Sequence, residues 1–366
     1  MMLPKVGIIY LNFPTKNWER DIDRAMRSFE QINYPKDRVE LILVEPEKTE
    51  PRIKDWFFQN WMFKSGTSLP NMHYVFNTSD DIGFSANNNV GLVKARELGC
   101  EYVHLTNEDT EADPDYLIRA VETAESDPKI AIVQSLILLG QDRERINSSG
   151  NAYHFLGFGY SNNYLALRST LSTLRTSEIG YASGAAALVR VSALEGEKLF
   201  DEKFFMYLED TDLSLRLRSR GWKIVLEPKS VIWHWYEFGK SKNVFYLMER
   251  NRYALIFSYY KIWTLVLMAP MMFVMDLALT IFSIKNGWFE MKWKQIKEMF
   301  DPKFWKWIKA RRMVIQSMRT ISDKEFLRLA VSDIRFQGDA VRNPVLEYIG
   351  NPLMRGYWWL IQKLLK

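Results

Sequence analysis

The stretch VGIIYL at residues 6–11 decides how the first part of this chain folds. It is a short, continuous apolar run, which is typical of a strand buried on both faces. Apolar residues then recur at helical spacing from Trp18 to Ile32, and residues 39–44, VELILV, predict a second strand. A strand, a helix and another strand indicate a parallel β-α-β unit, because a parallel pair needs a crossover connection.

The same alternation continues over the first 135 residues. Helices are predicted at residues 51–63, 85–98 and 114–126, with Ser85 as an N-cap, and strands at residues 72–76, 102–106 and 130–133. This order predicts an α/β fold, a mostly parallel sheet with helices on both faces. Ligands of such sheets bind beyond the carboxyl ends of the strands, so residues just after each strand are the first candidates for a site.

The character of the chain changes further along. Residues 180–191 and 222–233 are predicted strands, with a helix at 200–220 between them. From Tyr253 onward there are long apolar runs and then a basic, aromatic stretch. We therefore expect a catalytic domain at residues 1–250 and a helical, membrane-associating region at residues 251–366.

Composition excludes some kinds of site. The only cysteine is Cys100, which excludes a disulfide framework and a cysteine-based zinc site. The net charge is +5, but residues 285–319 alone carry ten Lys/Arg against three Asp/Glu. Such a block indicates an anionic partner, either a membrane surface or a nucleic acid. The first residues are too quickly strand-like for a secretory signal, so we expect the catalytic part in the cytosol.

Two acidic clusters are candidates for chemistry. Asn107, Glu108 and Asp109 follow a predicted strand, and carboxylates at that position can hold a divalent cation against a diphosphate. The alternative is a solvated helix start that includes Asp113 and Asp115.

The second cluster consists of Glu209, Asp210 and Asp212, which follow four bulky apolar residues. Carboxylates this close together raise at least one pKa, which suits a general base. A capped helix start with exposed acids is the alternative interpretation.

Other polar residues stand near predicted strand and helix ends. His234 is predicted to ligate the metal or contact phosphate, or simply to pack between aromatic residues. Arg250 either meets the diphosphate or ends a helix. Asp81 either reaches the nucleobase or caps the next helix, and Gly83 suits a close approach of backbone to ligand.

Taken in order, several segments resemble the inverting family 2 glycosyltransferases of GT-A fold, especially the rhamnosyltransferase-like branch. The resemblance runs over residues 5–252, and its segments are VGIIYLN (6–12), IGFSANNNVG (82–91), LTNEDT (105–110), YASGA (181–185), FFMYLEDTDLSLR (204–216), PKSVIWH (228–234) and RN (250–251). The resemblance implies a nucleoside diphosphate sugar as donor, bound by Leu11, Asn12, Glu45, Asp81, Gly83, Asn107, Glu108, Asp109 and Arg250.

The same resemblance implies the remaining roles. A divalent cation, Mn²⁺ or Mg²⁺, would be held by Asp109 and His234. Ser183 and Gly184 would lie beside the acceptor. Two positions depart from the family pattern: Asn107 opens the metal motif, so Asp109 must carry most of the coordination, and Glu45 stands where the family has a base-contacting Asp. The nucleobase is therefore left open.

The implied reaction is a direct displacement at the anomeric carbon. Asp210 takes the proton of an acceptor hydroxyl, Glu209 is the alternative base, and Asp212 orients the loop. Two other functions remain open at this point. A nucleotidyltransferase also combines such a sheet with carboxylates and a metal, although residues 11–14 show no Gly-rich phosphate loop. The other open function is a non-catalytic protein that binds membrane or nucleic acid through its basic tail.

The tail favours a membrane over a nucleic acid. Residues 262–284 are apolar and long enough to span a bilayer, but they contain Pro270 and Asp276, and both flanks are basic. We therefore expect an in-plane or re-entrant helix pair, bent near Pro270, on the cytoplasmic face of the membrane. It would deliver a lipid-linked or other glycan acceptor. Anionic lipids would contact an interleaved set of aromatic and basic residues: Trp288, Phe289, Lys292, Trp293, Lys294, Lys297, Lys303, Phe304, Trp305, Lys306, Trp307 and Lys309. An apolar helix packed on the catalytic domain, or an oligomer contact, is the alternative.

Overall fold

The computed structural model describes residues 3–13, 16–48, 52–81, 83–171, 173–235, 243–335 and 344–366. The chain forms two compact units. The first comprises Met1–Asn151, Ser161–Leu217 and Trp222–Tyr236, and the second comprises Ala152–Tyr160, Arg218–Gly221 and Glu237–Lys366. The expected boundary near residue 250 instead falls inside a helix of the second unit, because that helix packs on the helices that follow it.

The secondary structure of the α/β part follows the predicted alternation. Its strands are β1 (Val6–Leu11), β2 (Val39–Pro46), β3 (Asn71–Asn77), β4 (Tyr102–Thr106), β5 (Thr110–Ala112), β6 (Ile130–Leu139), β7 (Ile146–Ser148), β8 (Asn151–Tyr153), β9 (Gly159–Ser161), β10 (Ser177–Glu178), β11 (Ala186–Arg190) and β12 (Lys223–His234). Its helices are α1 (Trp18–Glu30), α2 (Arg52–Asn60), α3 (Phe84–Glu97), α4 (Tyr116–Ser126) and α5 (Glu209–Ser219).

One twisted sheet carries the first unit, in the order β10-β12-β6-β11-β4-β1-β2-β3. Strands β1, β2, β3 and β4 pair in parallel, as do β6 and β12. Strand β11 is antiparallel to both of its neighbours, β4 and β6, so the two parallel groups point the same way. The mostly parallel α/β sheet predicted from the sequence is thus confirmed, with β11, β10 and the short strands β5 and β7 running antiparallel to it.

Both faces of the sheet are covered, as the continuous apolar run of β1 requires. Ile8 and Tyr10 point into a core shared with α1 and α4, whereas Ile9 and Leu11 point into a second core shared with α3 and α5. Every residue of β1 is buried. The alternation of side chains along a strand therefore divides one apolar sequence between two cores.

Two predicted helix starts differ from those observed. Helix α3 begins after Gly83, and Ser85 is buried inside its first turn rather than at the cap. Helix α5 begins only at Glu209, not near residue 200. The delay has a local cause, since Phe205, Tyr207 and Leu208 adopt positive φ values of 62°, 68° and 64°, and left-handed residues cannot belong to a right-handed helix.

The second unit is mainly helical, and it also contains most of the two-stranded sheet β8-β9. Its helices are α6 (Asn243–Tyr259), α7 (Ile262–Lys285), α8 (Phe289–Met299), α9 (Pro302–Met318), α10 (Asp323–Phe326) and α11 (Asn351–Leu364), the last preceded by a π-helical turn, Leu346–Gly350. Among the described residues, one helix, α7, is long and apolar enough to cross a membrane by length and composition. It is continuous through Pro270, so the expected pair of helices bent at that proline is wrong.

Part of the aromatic and basic stretch is not available to lipid. Trp288, Phe304 and Trp307 are buried, and so is Lys292. Lys292 Nζ lies 2.5 Å from Asp276 and 3.1 Å from Glu249. The sequence could not distinguish an interfacial lysine from one that neutralises acids between helices, because both occur among aromatic residues.

The close packing of α3 on β1 makes Gly91 a sensitive position. An added Cβ would lie 2.5 Å from Cγ2 of Ile9, on a strand hydrogen-bonded on both sides. We expect Gly91→Ala to lower the free energy of unfolding by ~1–3 kcal/mol. Gly356→Ala is the matched control, because Gly356 is also helical but exposed, with open space where its Cβ would be. Thermal melts followed by circular dichroism should separate the two variants, and equal midpoints would contradict this account of α3 packing.

Candidate active site

The carboxyl edge of the sheet gathers the candidate residues. Asn12, Glu45 and Asn107 stand at the ends of β1, β2 and β4, which are parallel neighbours. Strand β11 runs the other way, and its first residue pairs with the last residue of β4. The segment that enters β11, with Ser183 and Gly184, therefore reaches the same edge. Strand β12 brings His234 opposite Thr110 of β5.

The metal motif is a tight turn whose main chain is fixed from three sides. Thr110 Oγ1 donates to the Asn107 carbonyl at 2.7 Å, the Tyr10 hydroxyl donates to the Glu108 carbonyl at 2.9 Å, and the Trp235 amide donates to the Asp109 carbonyl at 2.9 Å. With the carbonyls held, the side chain of Asp109 turns toward β12. Its Oδ1 lies 3.0 Å from Nε2 of His234.

Electrostatics separates the two acids of this turn. Burial, reinforced by the neighbouring charge of Asp109, raises the pKa of Glu108 to about 7. Burial also opposes ionisation of Asp109, but the charge of His234 and its hydrogen bond outweigh it and lower the pKa of Asp109. Burial lowers the pKa of His234, but the charge and hydrogen bond of Asp109 and the charge of Glu108 together outweigh burial, so the pKa is raised. Asp109 is therefore the acid that stays charged.

The side chains at this turn fit a divalent cation whose coordination is completed by a bound ligand. Asp109 offers a carboxylate oxygen and His234 an imidazole nitrogen. The buried Oδ1 of Asn107 has no hydrogen-bond partner, as expected of an oxygen that awaits one. Within the described residues, no group of three His, Cys, Asp or Glu side chains could hold a metal alone. Diphosphate oxygens and water would have to supply the remaining coordination.

The ends of β1 and β2 carry a polar hydrogen-bonded chain that the sequence did not predict. Asn12 Nδ2 donates to the Tyr74 hydroxyl at 2.7 Å, and that hydroxyl donates to Glu45. Tyr74 lies on β3, opposite Leu43 of β2. Glu45, which is longer than the Asp of the family pattern, is thereby bonded to a tyrosine of the next strand. Asn12 keeps a buried Oδ1 without a partner.

Neighbouring acids have local structural roles. Asp81 Oδ1 accepts from the Gly83 amide at 2.8 Å, in the turn that precedes α3, whose N-cap is Gly83 itself. Asp115 accepts from Asn33 at 2.6 Å and Asp113 from the Asp115 amide at 3.0 Å, at the solvated start of α4. A donor contact by Asp81 or Gly83 stays a prediction. So does that of Arg250, which belongs to the second unit and whose Nε donates to Asn251 Oδ1.

The second acidic cluster, Glu209, Asp210 and Asp212, stands at the first turn of α5. Asp210 Oδ2 accepts from the Gly184 amide at 3.2 Å, and its Oδ1 accepts from the Thr211 amide at 2.6 Å. Gly184 lacks a Cβ where one would lie 3.1 Å from the Phe84 ring. The loop to Gly184 is positioned in turn by Gln134, whose Oε1 accepts from the Ser183 amide at 2.9 Å. A lone Gln inside the apolar run of β6 was the available signal for this role.

Burial and hydrogen bonding also separate the acids of this motif. Burial raises the pKa of Asp210 to about 6, while the amides of Gly184 and Thr211 limit the rise. Burial and the adjacent Asp210 raise the pKa of Glu209 well above its usual value, and Glu209 Oε2 has no hydrogen-bond partner. Asp212 is buried within the first turn of α5, its amide donating to the Leu208 carbonyl at 2.8 Å. Asp210 is thus the carboxylate that gains and loses a proton near neutral pH.

Comparison with known proteins agrees with this geometry. A family model described as "Glycosyltransferase like family 2" matches residues 23–254, more than half of the chain. The chain belongs to this family. The resemblance inferred from the motifs is confirmed, and a glycosyltransferase is supported over the nucleotidyltransferase and the non-catalytic binding protein.

Two curated relatives match this family member over only part of their length. Glucomannan 4-beta-mannosyltransferase 7 of Arabidopsis thaliana is 24% identical over 227 residues, which are 60% of this chain and 37% of that protein. N-acetylglucosaminyl-diphospho-decaprenol L-rhamnosyltransferase of Mycobacterium tuberculosis is 45% identical over 56 residues, 15% of this chain and 18% of that protein. The matches therefore span well under half the length of either relative.

A solved structure shows the fold class independently. The crystal structure of GalNAc-T7 with UDP, GalNAc and Mn²⁺ superposes with a TM-score of 0.55 at 15% identity. The match covers 71% of this chain and 49% of that one. At this identity the likeness establishes the fold, which is GT-A, and leaves the ligands of this chain to be tested.

Asp109 is the residue on which cation binding should depend. We expect Asp109→Ala to weaken Mn²⁺-dependent binding of a nucleoside diphosphate by ~10-fold or more, because the charged ligand is lost while the amide of Asn107 remains. Asp113→Ala is the control, since Asp113 only accepts from an amide at the start of α4. Thermal shifts and titration calorimetry with UDP and GDP, each with and without Mn²⁺, would measure both variants. Nucleotide binding that is unchanged by excess chelator would contradict a cation at this site.

Proposed function

We propose that this chain is an inverting glycosyltransferase that moves a sugar from a nucleoside diphosphate donor to an acceptor hydroxyl. The observation that carries the proposal is Asp210, a half-buried carboxylate held by two amides with a pKa of about 6. A base of this pKa is ionised at neutral pH and is basic enough to accept a proton as a bond forms. Family membership supplies the reaction class.

The displacement needs few groups. Asp210 accepts the hydroxyl proton as the acceptor oxygen bonds to the anomeric carbon, and the bond from that carbon to the diphosphate oxygen breaks. Attack from the side opposite the leaving group inverts the carbon, and a single base suffices because no sugar–enzyme bond forms. A divalent cation held by Asp109 and His234, with Asn107, would supply positive charge against the leaving diphosphate.

Glu209 is the weaker candidate for the base. Its raised pKa keeps it protonated at neutral pH, so it holds a proton where Asp210 does not. We assign Glu209, like Asp212, a structural role in the first turn of α5. Asn12, Tyr74 and Glu45 would face the nucleoside, with the free Oδ1 of Asn12 as an acceptor toward it.

We propose further that the acceptor is a lipid-linked or cell-surface glycan precursor and that the protein works on the cytoplasmic face of the membrane, without a nucleic acid partner. The name of the mycobacterial relative includes a diphospho-decaprenol, and α7 has the length and apolarity of a membrane segment. Transfer to one glycan carried on a lipid diphosphate, measured against the same glycan free in solution, tests this preference. Equal rates would contradict the preference for a lipid-linked acceptor.

Removal of the base should separate catalysis from binding. We expect Asp210→Asn to reduce transfer by ~100-fold or more, the usual scale for a general base, while donor affinity stays near wild type. The amide keeps an oxygen for the bond from Gly184. Asp113→Asn, which changes a half-buried acid at the start of α4, should keep full activity. Turnover with a panel of nucleoside diphosphate sugars gives the rates, and retained turnover in Asp210→Asn would move the role to Glu209 or Asp212.

The pH dependence should report the same group. Asp210 must be deprotonated to act, so kcat/KM should fall about tenfold for each unit below pH ~6 and level off above it. The measurement uses saturating Mn²⁺, because His234 must also lose its proton to bind metal. The residual activity of Asp210→Asn should lack this inflection. If the variant keeps it, the Asp109–His234 pair sets the profile instead.

A further inference from the structure

Helix α7 presents one continuous apolar face that nothing in the described second unit covers. Its exposed apolar side chains are between 48% and 72% accessible and recur every three or four residues, as one side of a helix requires: Ile262, Trp263, Val266, Phe273, Val274, Leu277, Ile281 and Ile284. Pro270 and Ala278 lie on the same side and are also exposed. At 1.5 Å per residue this face is roughly 36 Å long.

The opposite side of α7 is closed. Met268, Met271 and Met275 are buried. Asp276, the acid that would be costly inside a bilayer, lies 2.5 Å from Lys292 Nζ of α8 and accepts from the Tyr253 hydroxyl of α6 at 2.9 Å. A single helix that spans a bilayer is surrounded by lipid on all sides. Helix α7 instead packs against α6 and α8 on one side and is exposed on the other.

Helix α11 adds a second stripe beside the first. Its exposed apolar residues, including those of the π-helical turn, again recur at helical spacing: Val345, Tyr348, Ile349, Leu353, Trp359, Leu360 and Leu364. Two hydrogen bonds set α11 antiparallel to α7, one from the Tyr357 hydroxyl to the Leu267 carbonyl and one from Trp263 Nε1 to the Leu364 carbonyl at 3.4 Å. We call the two stripes together the α7–α11 face.

Positive charge borders this face. Lys261 and Lys285 stand at the two ends of α7, and Lys363 and Lys366 at the end of α11. Lys363 Nζ lies 3.3 Å from the Trp359 ring centre, which combines an indole and a cation at one point. The exposed apolar stripe of α7 contains no acidic residue, since its single acid, Asp276, is bonded on the other side.

We propose that the α7–α11 face lies in the plane of an anionic lipid bilayer, at headgroup depth. Apolar residues with indoles at the edge and lysines at the ends match a bilayer interface, and the same rim of lysines would repel a second copy placed face to face. The proposal narrows the membrane association proposed above to one surface. It does not depend on sugar transfer. It keeps residues 262–284 in the plane of the membrane, as the sequence predicted, but it replaces the lipid contact expected on α8 and α9 with one on α11.

Vesicle binding by the full chain tests the surface directly. Phe273→Glu and Leu360→Glu each place a charge on the α7–α11 face, and both positions are exposed, so folding should persist. Phe300→Glu is the matched control, an exposed apolar residue between α8 and α9. We expect sedimentation with vesicles of 70:30 phosphatidylcholine and phosphatidylglycerol to fall at least about 10-fold for the first two variants and to be unchanged for the third. Loss only in Phe300→Glu would return the contact to α8 and α9 and overturn the proposal.

Charge should contribute separately. Replacing Lys363 and Lys366 by Gln should reduce binding to the anionic vesicles by roughly fivefold for each lysine and leave weak binding to pure phosphatidylcholine unchanged. Equal loss on both kinds of vesicle would contradict the role of the rim.

Depth distinguishes a helix that lies in the interface from one that crosses. The chain has one cysteine, Cys100, which is buried and whose pKa burial raises to about 12, so introduced cysteines can be labelled selectively. Labels at Val266→Cys, Phe273→Cys and Ile281→Cys should all be quenched best by a shallow doxyl lipid. Deepest quenching at the middle position would show a crossing helix. A lipid-free dimer dissociated by Phe273→Glu would instead make the face a self-association surface. Either result overturns the proposal, whatever the transferase assays give.

Discussion

The direction of one strand determines how the proposed active site is assembled. Strand β11 runs antiparallel between β4 and β6, so it begins where its neighbours end. The amide of Gly184, just before β11, is thereby brought to the carboxyl edge of the sheet, where it donates to Asp210. If β11 were parallel, the loop with Ser183 and Gly184 would lie at the other edge. The nucleotide side and the acceptor side of the site would then be separated by the length of a strand.

Both acidic motifs use the same physical device. Each contains two adjacent carboxylates in a buried setting, where two charges of one sign are costly. In the first pair, His234 favours the charged form of Asp109, and Glu108 has the raised pKa. In the second pair, the amides of Gly184 and Thr211 limit the rise for Asp210, and Glu209 takes the larger one. Partners from elsewhere in the fold, His234 and the Gly184 amide, thus help to give adjacent acids different pKa values, although the sequence alone does not distinguish these acids.

The second unit has charged residues in its interior and apolar residues on part of its surface, the opposite of the usual arrangement. Its ion network is inside, where Lys292 and Arg252 meet Glu249 and Asp276 among α6, α7 and α8. Removing one member would leave an uncompensated buried charge, which is far more costly than the loss of a surface pair. With its charges satisfied internally, α7 can present an uninterrupted apolar stripe. The apolar helix α7 therefore depends on a polar partner, Lys292 of α8.

The α/β alternation, the family and the strand ends that carry the candidate site could be predicted from the sequence. Strand runs such as VGIIYL are local signals, and the order of the motifs does not depend on folding details. Pairings between distant strands carry no local signal, so the bond from Tyr74 to Glu45 and the bond from the Ser183 amide to Gln134 can be found only in the folded chain. The burial of Lys292 was equally invisible, because its acidic partners come from other helices. Local pattern specifies elements and their chemistry, whereas the pKa of Asp210 and the bare side of α7 are set by what packs around them.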